Sequence, residues 1–334
     1  MSIPALSAAK PARRLHALPV ILLLAAVVAP LVLVLLAGGR EALLYARAFP
    51  TSLLGLMVVI AAVCWNINAL RLRLMLGIST LNQRSALGIE LAAKFALCAT
   101  PGGSGGPVTL LALLSRRGVP PAKGTAVFLI DQGCDSLFFL SMLGVAVAAS
   151  LIDETRWPHQ GLIEAALLGL GVLITLFVLV ILYLPRLLRL RPKARPQAAR
   201  RRWLARRLLR GRRALAMTLR LPKPTLAAIL LLTALHWVLR YSLLFIAVIG
   251  VGGQADWLWT FLIQMLAMAA SQLSFLPGGA GAAELGVGTL LLPLMAQEQA
   301  AAAVLVWRLV SYHLYLGVGA PVFLLLGARW LKRV

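Results

Sequence analysis

Apolar residues come in blocks along this chain, at 18–37, 51–70, 86–100, 107–115, 124–150, 162–184, 225–250, 257–276, 285–296 and 301–327, and polar residues gather in the gaps. Several blocks reach the ~20 residues that carry a helix across a hydrocarbon core about 30 Å thick. Blocks 107–115 and 285–296 are too short for that. The pattern predicts an all-α polytopic membrane protein. The first block follows Lys10, Arg13 and Arg14 and reads as an uncleaved signal-anchor, because its apolar run is long and no convincing A-x-A cleavage site accompanies it.

Two stretches break the pattern without adding Lys or Arg: Pro101-Gly-Gly-Ser-Gly-Gly-Pro107 and Pro277-Gly-Gly-Ala-Gly-Ala-Ala-Glu284. Each lies between two apolar arms. A helix–break–helix hairpin whose tip stays at membrane depth, buried in protein, is the reading favoured by the short second arms. A tight glycine turn between two full spans is the alternative. Counting each arm as a segment, both broken pairs fall third and fourth in a group of five. An odd-numbered repeat inserts upside down relative to its partner, so the expectation is two inverted five-segment repeats with hairpin tips approaching the midplane. The expected divisions are a cytoplasmic tail at 1–17, a first repeat at 18–150 with its tip at 101–107, a second at 162–327 with its tip at 277–283, and a tail at 328–334. The second repeat contains a basic loop at 185–224.

Composition sharpens this picture. Hydrophobic residues make up 61% of the 334 and charged residues 13%, about half of the roughly 25% usual in soluble chains. A soluble enzyme, a disordered chain and a secreted disulfide scaffold are excluded. The few charges are mostly basic, with a net charge of +23. Alternating the spans from a cytoplasmic N-terminus puts 27 Lys and Arg inside and three, Arg40, Arg47 and Arg156, outside. Arg71, Arg73 and Arg84 count among the inside group. Both termini are therefore expected in the cytoplasm, and the localisation is a bacterial inner membrane. Loop 185–224 suits a helix lying on an anionic leaflet, with Trp203, Leu204 and Leu208 interleaved among arginines. Positive-inside bias accounts for its charge without nucleic acid.

Seven ionisable residues fall within apolar segments: Glu90, Lys94, Asp131, Asp135, Arg240, Glu284 and Arg308. Each costs about 2.5–3.5 kcal/mol at the bilayer centre on insertion scales, so they should pair or face a wet cavity. Glu90 and Lys94, at i and i+4, read as a structural pair. Asp131 and Asp135 share a helix face and need a cation, for which Arg240 and Arg308 are available. Buried ion pairs locking helices together are the bland account of this cluster; a polar path for a lipid head group is the functional one. Glu284 at the start of a helical arm suits the helix dipole. His236, Tyr312 and His313 are secondary candidates. The glycines at the tips, Gly102, Gly103, Gly105, Gly106, Gly278, Gly279 and Gly281, would free backbone N–H groups that favour anions.

Other chemistry is not indicated. Gly102-Gly-Ser104-Gly-Gly106 formally matches G-x-S-x-G, but its flanks read as membrane helices rather than strand and helix. No Gly-Lys or Asp-Lys dipeptide occurs, which removes a Walker A loop and the phosphorylated-aspartate pump motif. Cys64, Cys98 and Cys134 make no CxxC and read as small buried hydrophobes. No catalytic residue, metal site or cofactor is expected.

PGGAGAAE, followed by Trp307-Arg308-Leu-Val-Ser-Tyr-His313, resembles the PGGxGxxE … R-x-x-S/T-Y signature of the lysylphosphatidylglycerol synthase transmembrane, or flippase-like, family. Thr100-Pro-Gly-Gly-Ser-Gly-Gly-Pro107, with Arg117-Gly118 and Asp131 downstream, resembles its earlier TP-x-x-x-GG block. That family includes the membrane half of the multiple peptide resistance factor, which moves aminoacylated phosphatidylglycerol between leaflets, and hopanoid-associated membrane proteins. With Val334 as the last residue given, the factor's soluble aminoacyl-transferase domain is not expected, and synthesis of a lysyl-lipid is not implied. The resemblance implies a lipid translocator with membrane lipids, anionic head groups among them, as partners. A membrane-embedded lipid-modifying enzyme and a non-transporting member of a lipid-synthesis complex are the alternatives. A homo-oligomer or a lipid-synthesis enzyme is the protein partner to look for.

Overall fold

The computed structural model describes residues 17–152, 221–331 apart from 273 and 275, and scattered helical positions between 161 and 183. The N-terminal tail, the body of the basic loop at 185–224, Arg156, Trp157 and the last residues of the C-terminal tail lie outside the described residues. Ten α-helices are named here: α1 Ala17–Arg47, α2 Thr51–Leu76, α3 Gln83–Ala99, α4 Gly105–Arg116, α5 Pro121–Ile152, α6 Lys223–Gly250, α7 Trp257–Ser271, α8 Ala282–Leu291, α9 Gln297–Arg308 and α10 Leu314–Leu331. A five-residue π-helical segment, Leu309–His313, joins α9 to α10. Among the described residues five helical stretches are long and apolar enough to cross a membrane: Leu23–Arg47, Thr51–Leu76, Pro121–Ala149, Lys223–Gly250 and Gln297–Ala328. This is a multi-pass, all-helical membrane protein.

The remaining helices pair into two hairpins, α3–α4 and α7–α8. At 1.5 Å per residue, α4 and α8 reach only ~18 and ~15 Å, half the thickness of the hydrocarbon core. Asn82 caps α3 by accepting from the Ser85 N–H at 2.8 Å, and Asp256 caps α7 through the N–H groups of Leu258 and Trp259. Satisfying the first N–H groups of each helix fixes where the hairpins start.

The helices approach closely because small residues stand at their crossings. Without water between helices, backbone proximity replaces hydrophobic driving force. A Cβ on Gly38 of α1 would come within 2.7 Å of the Ala301 methyl of α9, and one on Gly319 of α10 within 2.7 Å of Phe95 Cβ of α3. α10 thus lies along α3, and α1 along the alanine-rich α9. At the centre α2 packs on α6, running the opposite way. The Thr51 end of α2 lies by Gly250, whose Cα faces the Phe49 ring; the Leu76 end lies by Leu221 and Pro222.

That central pair positions the hairpins. α3–α4 roots at the Leu76 end: Arg73 Nε donates to Leu81 O at 2.8 Å, Lys123 Nζ to Leu76 O at 2.8 Å, and Arg117 to Ser85 Oγ at 3.0 Å. α7–α8 roots at the other end, where Gly253 touches Met295. Their tips meet. Pro101 and Pro277 pair as a single antiparallel β-bridge, in a protein with no strand among its described residues.

Candidate functional site

The second tip is built as a latch. Gly278 and Gly279 take left-handed backbone, φ +64° and +67°, which glycine alone adopts without strain. The turn lets Gly278 lie flat against the Tyr312 ring, where a Cβ would stand 2.1 Å from Cε2. Arg308 at the end of α9 pairs through Nε with Glu284 Oε1 in the first turn of α8, and its other arm reaches Gly278 O at 3.4 Å. Both charged side chains are buried, so each neutralises the other where water cannot. Tyr312 then donates its hydroxyl to Cys98 O at 3.3 Å, tying the latch to the end of α3 in the other hairpin. Glu284 is thus an ion-pair partner; the helix makes no side-chain cap at Gly281.

The acids of α5 have a different partner from the one expected. Arg71 NH2 stands 2.7 Å from Asp131 Oδ1 and 2.8 Å from Asp135 Oδ1, while Arg71 NH1 donates to Asn68 Oδ1 at 3.2 Å. Asp135 also accepts from Trp237 Nε1 at 2.9 Å, which joins α2, α5 and α6. The expectation that Arg240 or Arg308 supplies this cation is corrected. The physical reason is length: the apolar run stops at 70, but α2 continues to Leu76, so Arg71 is a helix residue, 2% exposed, facing α5. The signal available beforehand was Asn68 three residues earlier, a polar side chain on the same face. Asp131 keeps 35% of its side-chain surface exposed.

Arg240 has no carboxylate within ion-pair distance among the described residues. It donates to the Tyr315 hydroxyl and to Ser311 O at 3.3 Å, and its guanidinium lies 4.5 Å from the centroid of the Tyr315 ring. Glu90 and Lys94 form no ion pair with each other, contrary to the i, i+4 expectation; both are half-buried. They nevertheless share a neighbourhood. Glu90, Lys94, Asp131 and Asp135 are electrostatic neighbours, and Lys94 lies on the face of α3 whose Leu91 and Phe95 meet Gly319 and whose Cys98 meets Tyr312. Ionisable groups are thus spread over α2, α3, α5 and α6, between the hairpin roots and the tips.

The other candidates sort as follows. His236 is buried with Nδ1 unpartnered, and it stacks edge-on with Trp237 at 5.1 Å. His313 lies between Arg308 O at 3.2 Å and Val27 O at 3.0 Å, fastening α1 to the π segment. At the first tip, Gly102 and Gly103 are left-handed, Gly105 N donates to Thr100 Oγ1 at 2.8 Å, and Gly106 packs on Leu97. Ser104 Oγ donates to Pro101 O at 3.1 Å and has helices on both sides, so it is no nucleophile elbow. Among the described residues no group of three or more His, Cys, Asp or Glu could hold a metal, and Cys64, Cys98 and Cys134 are free and buried.

The family signature noticed in the sequence is the latch itself: the PGG turn, Glu284, Arg308 and Tyr312 meet in one contact. The model of the lysylphosphatidylglycerol synthase transmembrane region matches residues 20–319. The chain belongs to this family. It is also similar to a UPF0104 membrane protein of Archaeoglobus fulgidus, 23% identical over 246 residues that cover 70% of this chain and 74% of that relative. The family match runs across both hairpins and every ionisable residue of the polar route and the latch.

Proposed function

We propose that this protein is a lipid translocator, moving a polar or phospholipid head group between the leaflets of a bacterial cytoplasmic membrane. The observation that carries the reading is the Pro101–Pro277 bridge, where two hairpins rooted at opposite ends of α2–α6 meet. Arms of ~15–25 Å fit re-entrant hairpins whose tips stop inside the bilayer, and opposite roots fit two inverted five-segment repeats. Both termini lie in the cytoplasm, the side that collects most Lys and Arg. Polar groups spread over α2, α3, α5 and α6 offer a head group a route while its tails stay in lipid. Asp131, Asp135, Arg240, Glu284 and Arg308 belong to this route, with Glu284 and Arg308 anchoring the tip beside it. The family's name, from lysylphosphatidylglycerol synthase, also points to lipid chemistry.

The protein acts as a carrier rather than an enzyme. Asp135 and Glu284 are engaged by arginines, which suits counter-charges better than acid–base catalysts. Reconstitution with a trace of fluorescent phosphatidylglycerol, followed by an impermeant reductant, tests the reading. Full-length protein should make inner-leaflet label reducible within minutes, whereas empty vesicles keep about half protected. Label protected equally in both would overturn transport. Chemical conversion of the lipid in detergent would favour the lipid-modifying alternative.

A further inference from the structure

Two cations of the polar route keep hydrogen-bond donors that no described residue accepts, Glu90 included. Of the buried or half-buried cations Arg71, Lys94, Arg240 and Arg308, two have carboxylates in contact and two do not. Arg240 spends one N–H on the Tyr315 hydroxyl and one on Ser311 O, leaving three of its five. Lys94, half-buried on α3, makes no hydrogen bond or ion pair with any described residue, so all three ammonium donors are uncommitted. His236, 2% exposed, adds a ring nitrogen without a partner. On α3, Leu91 O and Phe95 pack on Gly319 and Cys98 O accepts from Tyr312, with Lys94 on the same helix face. Arg240 meets Ser311 O and Tyr315, so the two cations border one stretch around the π segment and α10. Buried polar groups are ordinarily satisfied, and two cations with spare donors call for an acceptor-rich anion.

We propose that Lys94 and Arg240 form an anion station that takes the phosphate of a phospholipid head group. The proposal rests on the transport reading for its ligand but not for its chemistry. Tyr315 orients Arg240 from below by its ring face and from the side by its hydroxyl, so the guanidinium is aimed before the anion arrives. Lys94 is the adaptable partner, a point charge on a flexible stem. The latch arginine, Arg308, plays no part in the station because Glu284 already neutralises it.

The test titrates full-length protein in detergent with dioctanoyl phosphatidylglycerol, with dioctanoylglycerol, which lacks the phosphate, and with inorganic phosphate. Tryptophan fluorescence is the readout, since Trp65 packs on Tyr315 at 5.2 Å and Trp237 on His236 at 5.1 Å. Phosphatidylglycerol should bind at least about tenfold more tightly than dioctanoylglycerol, and Lys94→Gln should remove at least about tenfold of that affinity. Arg240→Gln should lose as much or more, with Arg240→Lys recovering part, while the exposed Arg84→Gln changes nothing. Because Lys94 has no partner to lose, Lys94→Gln should melt with the wild type. Unchanged phosphatidylglycerol affinity in Lys94→Gln, equal binding of dioctanoylglycerol, or a Lys94→Gln protein that does not fold would each overturn the station. Binding that depends on Lys94 and Arg240 in a protein that moves no lipid would support the station and defeat transport alone. Inorganic phosphate binding as tightly, through the same two residues, would support the station and make its ligand a soluble anion.

Discussion

The two hairpin tips share a glycine-rich sequence and a left-handed turn, yet they are held in opposite ways. At the second tip Pro277, Gly279, Ala280 and Glu284 are buried, Gly278 is pressed on Tyr312, and an ion pair crosses to α9. At the first, Pro101, Gly102 and Ser104 are exposed, and apart from the Pro101–Pro277 bridge and the Tyr312 bond to Cys98 O the fastenings are local, from Thr100 and Ser104 to their own turn. A Cβ on Gly102 would meet nothing within 4 Å. One tip is thus a fixed wall and the other a free edge resting on it. Similar turns can therefore serve unlike mechanical roles, and the contacts beyond the turn decide which.

The sharpest way to break this contrast is to remove one charge of the latch. Arg308→Met should leave Glu284 buried without a counter-charge and cost about 3–5 kcal/mol, read as lost thermal stability in detergent. Glu284→Gln/Arg308→Met together should recover much of that loss. Additive losses in the double variant would show that the pair is not coupled.

The α5 acids should behave asymmetrically. Arg71→Met strands two carboxylates and should cost about 3–5 kcal/mol. Asp131→Asn leaves Asp135 to balance Arg71, and with Asp131 35% exposed it should cost no more than about 1 kcal/mol. Equal losses in the two variants would mean that Arg71 does not depend on both acids as the geometry requires.

The glycines offer a direct comparison. Gly102→Ala should cost only the left-handed strain, about 1–2 kcal/mol. Gly278→Ala adds a collision with Tyr312, for about 1–3 kcal/mol more, which Tyr312→Ala should relieve. Identical melting of the two alanine variants would erase the distinction between the tips.

Smallest in energy but most direct is labelling. With the three native cysteines replaced, Ser104→Cys should react with an impermeant maleimide from one side of the membrane. Ala280→Cys, at a residue 1% exposed, should resist it from both sides. Equally fast reaction at both positions would place the second tip in open water.

Much of the fold was legible because proline and glycine interrupt apolar runs so sharply. The two breaks at 101–107 and 277–283 mark both hairpins, and arms too short to span follow from counting residues. The latch residues were legible as a motif, although Glu284 looked like a dipole partner and proved to be Arg308's. What the sequence hid was pairing across distance. Arg71 sits just past an apolar block, so its hydropathy resembles that of a loop cation while the helix carries it inward. Lys94 lies four residues from Glu90, and spacing alone suggested a pair. The observed helix leaves both ends uncommitted, because the i, i+4 rule states only that such side chains can meet.

The π segment Leu309–His313 interrupts a stretch that is otherwise one long apolar helix. A π turn amounts to one residue wound into an α-helix, and one residue rotates everything after it by about 100°. Upstream of it Arg308 addresses the second hairpin; within and beyond it, Ser311 O and Tyr315 address Arg240, and Gly319 meets Phe95 of α3. A single helical stretch thereby serves two compass bearings without a loop. Chain length through these five residues is therefore less free to vary than their side chains. A one-residue deletion would swing the whole tail out of phase with α3, while most exposed substitutions there would leave the bearing intact.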